Sequence, residues 1–174
     1  MTPSHWAKGG RGKVIHWTVR ATSLGDMLVA ATAQGVCCLA FGEGETQLAT
    51  RFPLARLVPA GDAFAALFDA VLAAVERPCP AAEAIPLDVE GTAFQTRVWD
   101  ELRRIPPGET RSYGELAAAL GRPGASRAVG GANRANRIAV LIPCHRVIAA
   151  DGTLGGYAYG GAIKRELLRR EREA

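Results

Sequence analysis

In the run Leu141-Ile142-Pro143-Cys144-His145-Arg146-Val147 a thiol and an imidazole stand side by side behind a proline, inside an apolar stretch. Only a thiolate attacks carbon, and an unperturbed thiol, with a pKa near ~8.5, is mostly protonated at neutral pH. A base beside the sulfur meets that need, so Cys144 and His145 are a candidate nucleophile and base. The same dipeptide also fits a small buried hydrophobe next to a surface histidine. What surrounds it has to decide.

The elements that would hold this pair are readable in outline. Ahead of it, Thr92 can cap a helix carrying Phe94, Val98, Trp99 and Leu102, which ends before Pro106-Pro107-Gly108. Ser112 and Glu115 have capping-box spacing for a second helix to Leu120. Gly121-Arg122-Pro123-Gly124 breaks it, and a helix of very small residues resumes from Ala125 to Ala135. Two short helices around a tight glycine-containing turn are a helix-turn-helix signature. Ala128, Gly130, Gly131 and Ala132 leave the second of them little bulk, although glycine costs about 1 kcal/mol against alanine in a helix. Close approach of another helix would compensate that cost, and so would a nucleic-acid backbone met by Arg127, Arg134 and Arg137. A glycine and tyrosine cluster, Gly155 to Gly161, leads into a last helix from Ala162.

The first half reads differently. Val14–Val19, Met27–Ala31 and Val36–Phe41 are short β-rich runs separated by turn residues, predicting a three-stranded meander. Phe64, Leu67, Phe68, Val71, Leu72 and Val75 have helical spacing, with Asp62 as N-cap and Pro78 as terminator. Residues 78–86 read as a linker, 1–13 as a flexible leader, and the two subdomains as 14–86 and 87–174. The fold class expected is α+β, and 174 residues with 48% hydrophobic content suffice for a real core. No stretch approaches the ~20 apolar residues of a membrane span. Four cysteines without CxxC spacing indicate neither a disulfide framework nor a metal site, and no cofactor is implied. The net charge of +4 is uneven: residues 1–90 hold 7 Lys+Arg against 9 Asp+Glu, residues 91–174 hold 14 against 8. A polyanionic partner and a merely solvated basic face both fit that asymmetry.

Four segments, Ser112-Tyr113-Gly114-Glu115-Leu116-Ala117, Ser126-Arg127-Ala128-Val129-Gly130-Gly131-Ala132, Ile142-Pro143-Cys144-His145-Arg146-Val147 and Gly155-Gly156-Tyr157, occur here in order. In sequence and spacing they resemble the O6-alkylguanine-DNA alkyltransferases, also called methylated-DNA-protein-cysteine methyltransferases. The resemblance implies a ribonuclease H-like N-terminal half and a helical C-terminal half with the helix-turn-helix. It implies stoichiometric, irreversible transfer of an alkyl group from O6 of guanine, and from O4 of thymine, to Cys144. By the same resemblance His145 draws the thiol proton away through a water, Glu171 orients His145, and Asn136 is a hinge tying the helix-turn-helix to the thiol segment. Tyr113 would donate to N3 of the base, the amide of Ala158 would face O6, and the carbonyls of Cys144 and Val147 would accept from the exocyclic amine. Tyr157 and Tyr159 complete the base pocket. Ser126, Ala128, Gly131 and Arg134 would face the minor groove, and Arg127 would fill the stack that the flipped nucleotide leaves.

Ala158 departs from members that carry serine there, so only its backbone can serve O6. The zinc ligands of some animal members have no counterpart, which leaves Cys37, Cys38 and Cys79 as core or loop thiols. Residues 3–12 look like the end of the AraC-type domain that precedes the alkyltransferase part in a bacterial adaptive-response regulator. The partner expected is double-stranded DNA bearing O6-alkylguanine, bound by a monomer in the cytoplasm, at the nucleoid, with no membrane involved. Two other classes remain open: a module that binds alkylated DNA or regulates without repairing, and a thiol hydrolase that turns over.

Overall fold

The computed structural model describes residues 6–174, and the chain divides into two compact units that meet in sequence at Glu90 and Gly91. The first is built on the expected meander, β1 (Val14–Thr22), β2 (Gly25–Thr32) and β3 (Gly35–Phe41). Its antiparallel registers pair Thr18 with Val29 and Val29 with Leu39, and a bulge lies between Ala30 and Ala31. β2 and β3 are almost wholly buried, which is why they read as continuous apolar runs rather than alternating ones. A helix α1 (Glu45–Arg51) and a fourth strand β4 (Arg56–Pro59) were not expected. β4 pairs parallel to β1, giving the order β3-β2-β1-β4. Helix α2 (Ala65–Glu76) buries Phe68, Val71, Ala74 and Val75.

Three readings need correction in this unit. Asp62 is not the N-cap of α2, because a 3-10 turn over Asp62–Phe64 precedes the helix and Phe64 occupies the cap. The proline-rich stretch read as a linker contains a 3-10 turn, Pro80–Ala84, and the unit runs on to Glu90 because Leu87 bridges Val36 and Asp88 is locked in. Buried Asp88 accepts from the Trp6 indole (2.9 Å), the Thr32 hydroxyl (2.5 Å) and the Lys13 ammonium (3.4 Å). Those bonds, with the Trp6 ring 5.2 Å from that of Phe52, fix part of the stretch read as a flexible leader. Residues 1–5 of that leader lie outside the described residues.

The second unit holds α3 (Ala93–Arg103), β5 (Arg111–Ser112), α4 (Tyr113–Ala119), α5 (Ser126–Arg134), β6 (Val147–Ile148) and α6 (Gly161–Glu173). Both expected capping boxes form: Thr92 accepts from Gln95 N at 3.1 Å, and Ser112 from Glu115 N at 3.1 Å. α4 and α5 are the helix-turn-helix, and α3 packs on both. The Trp99 indole of α3 is buried and donates to Ala132 O of α5 at 2.8 Å, so the small residue at 132 seats a large ring. A side chain at Gly91 would meet that ring at 2.4 Å. Among the described residues no helix is long and apolar enough to cross a membrane.

Candidate active site

Cys144 opens a one-turn 3-10 helix, Cys144–Arg146, at the end of an irregular segment that leaves α5. Two tight turns shape that segment. Leu141 N bonds to Ala139 O at 2.7 Å around Val140, whose φ of +67° is the one left-handed value at a non-glycine among the described residues. Cys144 N bonds to Ile142 O at 2.7 Å around Pro143, with φ −80° and ψ 65°. These are γ-turns of opposite hand, and the first is a strained form for a β-branched residue, costing about 1–3 kcal/mol. Asn136 stiffens the same loop. Its Nδ2 donates to Ile142 O (2.9 Å) and Ile138 O (3.4 Å), and its Oδ1 accepts from Ile138 N (2.9 Å).

The thiol is buried, and burial pushes its pKa up from the ordinary value. The Asn136 amide and the Lys164 charge pull it back without cancelling the rise. Cys144 therefore rests as a thiol, and its proton has to leave when it reacts. His145 is fully buried next to it, and Nε2 lies 2.7 Å from Glu171 Oε1. Nδ1 is buried with no hydrogen-bond partner. Burial lowers the His145 pKa, offsetting the pull of Glu171, so the ring is neutral at pH 7. Burial opposes ionisation of Glu171, yet hydrogen bonds from His145 and Arg146 hold its carboxyl below the usual value. Opposite a carboxylate the neutral ring donates from Nε2, which leaves the Nδ1 lone pair for a proton from elsewhere.

Arg146 and Lys164 were missing from the sequence-based site. Arg146 grips Glu171 through Nε (3.1 Å to each oxygen) and Nη2 (2.8 Å). Lys164 is buried on α6, donating to Val147 O (2.6 Å) and Gly156 O (3.1 Å). The Val147 carbonyl, expected to accept from a base, is thus already engaged and has one lone pair left.

The other expected residues fall in two groups. β5 and β6 pair in parallel, Arg111 with Val147 and Ser112 with Ile148, which sets the start of α4, and so half-buried Tyr113, against the thiol segment. Tyr157 buries an unpartnered hydroxyl, its ring lies 5.5 Å from that of Tyr159, and Ala158 between them is exposed. On α5, Val129, Gly130, Ala132 and Asn133 face inward. Arg127, Ala128 and Arg134 are exposed, with Ser126 and Gly131 half-buried beside them. A side chain at Gly131 would meet no protein atom within 4 Å, and at Gly130 would make ordinary contacts with the Arg134 guanidinium at 3.6 Å and the Tyr113 ring at 3.8 Å. Packing within the protein therefore does not demand glycine at either position.

The charge arrangement has a consequence in acid. The lowered His145 pKa means that the unfolded chain binds that proton first, so the unfolded state gains protons, and stability falls, as pH drops below about 6.5. Glu171, also lowered, loses its stabilising contribution further down, as pH falls below about 4.3 toward its folded value. The urea midpoint is expected to drop between pH 7.5 and pH 5.5, as the unfolding free energy falls by up to about 1.4 kcal/mol per pH unit, and less steeply in His145→Gln. Equal midpoints across that range would contradict the neutral buried ring.

Comparison with known proteins places this geometry. A family model described as 6-O-methylguanine DNA methyltransferase, DNA binding domain, matches residues 93–173. A crystal structure of Mycobacterium tuberculosis OGT in complex with DNA superimposes with a TM-score of 0.74 at 38% identity, covering 91% of this chain and 93% of that one. The chain belongs to the 6-O-methylguanine DNA methyltransferase family. It is also similar to the bifunctional transcriptional activator/DNA repair enzyme Ada of Escherichia coli, 42% identical over 99% of this chain and 50% of Ada. A methylated-DNA--protein-cysteine methyltransferase of Mycobacterium bovis is 58% identical over 51% of this chain and 53% of its own length. The chain thus spans about half the length of these curated relatives. The thiol segment and the helix-turn-helix of this chain both lie within the matched residues.

Proposed function

We propose that this protein repairs DNA by direct reversal, moving a methyl or other alkyl group from O6 of guanine, and from O4 of thymine, to Cys144 once per chain. The observation that carries the reading is a buried thiol whose neighbouring imidazole is neutral and backed by an ionised carboxylate, in a helix-turn-helix unit of this family. Sγ attacks the alkyl carbon as its proton passes to His145 Nδ1 through a water, leaving an imidazolium that Glu171 compensates. The S–C bond forms as the C–O6 bond breaks, and the electron pair goes to guanine. Tyr113 meets the developing charge at N3, and the Ala158 amide meets it at O6. The product is a thioether, which no group near Cys144 can cleave, so the thiol is consumed.

The reactive carbon is out of reach in a stacked duplex, so the nucleotide has to be flipped. The exposed α5 face supports this step. Ala128 and Gly131 allow close approach to a minor groove, Ser126 and Arg134 lie beside them for phosphate contact, and Arg127 occupies the vacated stack. The molecule acts as a monomer, with double-stranded DNA as its partner, at the nucleoid.

The test is label stoichiometry. Incubation with excess duplex carrying methyl-labelled O6-methylguanine is expected to place about one label per chain, with peptide mapping assigning it to Cys144. Release of label with many turnovers would indicate a thiol hydrolase. Duplex binding without any label would indicate a non-repairing module. Either result overturns the proposal.

A further inference from the structure

Arg146 sits in the most recognisable segment of the chain and yet has no part in the chemistry just described. Its guanidinium is spent on two partners in different elements. Nε and Nη2 take the Glu171 carboxylate of α6, while Nη1 donates at 2.6 Å to the carbonyl of buried Ile105, two residues past the end of α3. Together with His145 Nε2 at 2.7 Å, these bonds surround Glu171 with N–H donors only.

We infer that Arg146 is a positioning residue that determines which nitrogen of His145 carries the proton, by keeping Glu171 a carboxylate that can only accept. A neutral imidazole has one N–H and one lone pair, and its partner decides where each lies. Opposite a carboxylate the proton belongs on Nε2 and the lone pair on Nδ1, the nitrogen that has no partner in the structure. A buried carboxyl without a cation tends to take up a proton. Once protonated, Glu171 can donate to Nε2, and the imidazole proton then belongs on Nδ1, where the lone pair is needed. If the proton settles on the ring instead, the imidazolium has no lone pair at all. In both forms one extra proton on the His145–Glu171 pair disables the base, and Arg146 opposes its uptake.

The charged and titratable groups around the His145–Glu171 pair are Lys164 on α6, Cys144 and Arg146 on the thiol segment, and Tyr157 of the glycine and tyrosine cluster, whose buried hydroxyl faces Cys144 and Glu171. Lys164 cannot stand in for Arg146, because its ammonium is committed to the carbonyls of Val147 and Gly156. Nor can a lysine at 146 reproduce the fork, since one ammonium cannot lie along both carboxylate oxygens and also reach Ile105 O.

The tautomer can be read without any transfer reaction, which separates this inference from the repair proposal on which only its kinetic arm rests. In protein with 15N-labelled imidazoles, wild type is expected to show His145 protonated at Nε2 and bare at Nδ1 at pH 7.5. In Arg146→Met the midpoint for proton uptake by the pair should rise by about one pH unit or more, and Arg146→Lys should lie between. Methyl transfer by Arg146→Met should fall toward tenfold as the pH drops below both midpoints, where a one-unit rise in midpoint is a factor of ten in base availability, and recover by pH 8.5. An unchanged tautomer and midpoint in folded Arg146→Met would overturn the inference, as would a rate loss equal at every pH. Should the methionine variant not fold, Arg146→Lys carries the same test, with a rise in midpoint expected and its absence decisive. A wild-type protein that takes no label counts against the repair proposal alone, because the nitrogen titration still reads Arg146.

Discussion

Replacing Glu171 with glutamine is expected to slow methyl transfer to Cys144 on the order of ten-thousandfold, the scale of loss when the buried aspartate of a Ser-His-Asp triad becomes an amide. The substitution changes shape hardly at all, and its effect comes from the amide's two N–H groups. Glu171 Oε1 accepts from His145 Nε2 and Arg146 Nη2, and Oε2 accepts from Arg146 Nε. With the amide oxygen toward His145, the amide nitrogen faces Arg146 Nε, donor against donor. The ring keeps its tautomer but loses the negative charge that compensates the imidazolium. With the amide reversed, its nitrogen faces both Nη2 and the ring, and His145 has to accept at Nε2 and carry its proton on Nδ1. The first orientation removes the driving force for taking the thiol proton, and the second removes the lone pair. Stability should fall by about 3 kcal/mol, since Arg146 is left partly buried without its counter-charge. Single-turnover rates and urea midpoints on the same preparation check both numbers. A rate within threefold of wild type would show that the carboxylate plays no part in activating the thiol.

The sequence is unequally informative about this machinery, for reasons that can be named. α3 and α4 were legible because each begins with a side-chain cap three residues before a partner that returns the bond, a local signal that needs no tertiary context. α1 and β4 were not legible. α1 buries only Leu48 in seven residues, and β4 has only four, so neither shows a period long enough to detect. β5 and β6, two residues each, exist because two distant segments meet, which no local pattern records. In the site, Glu171 stands among alternating charges, and only the family resemblance gave it a role. Lys164 could have been found from the sequence itself. Lys164, Leu167, Leu168 and Glu171 follow the i, i+3, i+4, i+7 spacing of a buried face, and two charges on such a face are too costly to bury without partners. The structure supplies those partners as Val147 O and Gly156 O for the lysine, and His145 and Arg146 for the glutamate.

Asn136→Ala should combine a stability loss of about 2–4 kcal/mol with a fall in transfer rate of about a hundredfold, while leaving duplex affinity within about threefold. The stability loss follows from what the side chain satisfies. Ile138 N and Ile142 O belong to buried residues, and each relies on the amide, at 2.9 Å in both cases. Truncation orphans the Ile138 N donor and leaves Ile142 O with Cys144 N alone. The rate loss follows from the turn that Asn136 braces. Ile142 O also receives Cys144 N, so the amide of Asn136 and the thiol's own backbone converge on one carbonyl, within two residues of the strained Val140. Without the brace that strain can relax by shifting Pro143 and Cys144, and a misplacement of about 1 Å at the reacting atom is enough for a hundredfold loss. The thiol also loses the hydrogen bond that lowers its pKa. Duplex affinity should persist because Asn136 lies beyond the end of α5 and off the face formed by Arg127, Ala128 and Arg134. Asn136→Asp separates the two effects. It keeps the acceptor for Ile138 N but sets a carboxylate oxygen against Ile142 O and the thiol, so it should lose more rate than stability relative to alanine. Equal rates for alanine, aspartate and wild type, in protein that remains folded, would show that Cys144 is held by its γ-turns alone.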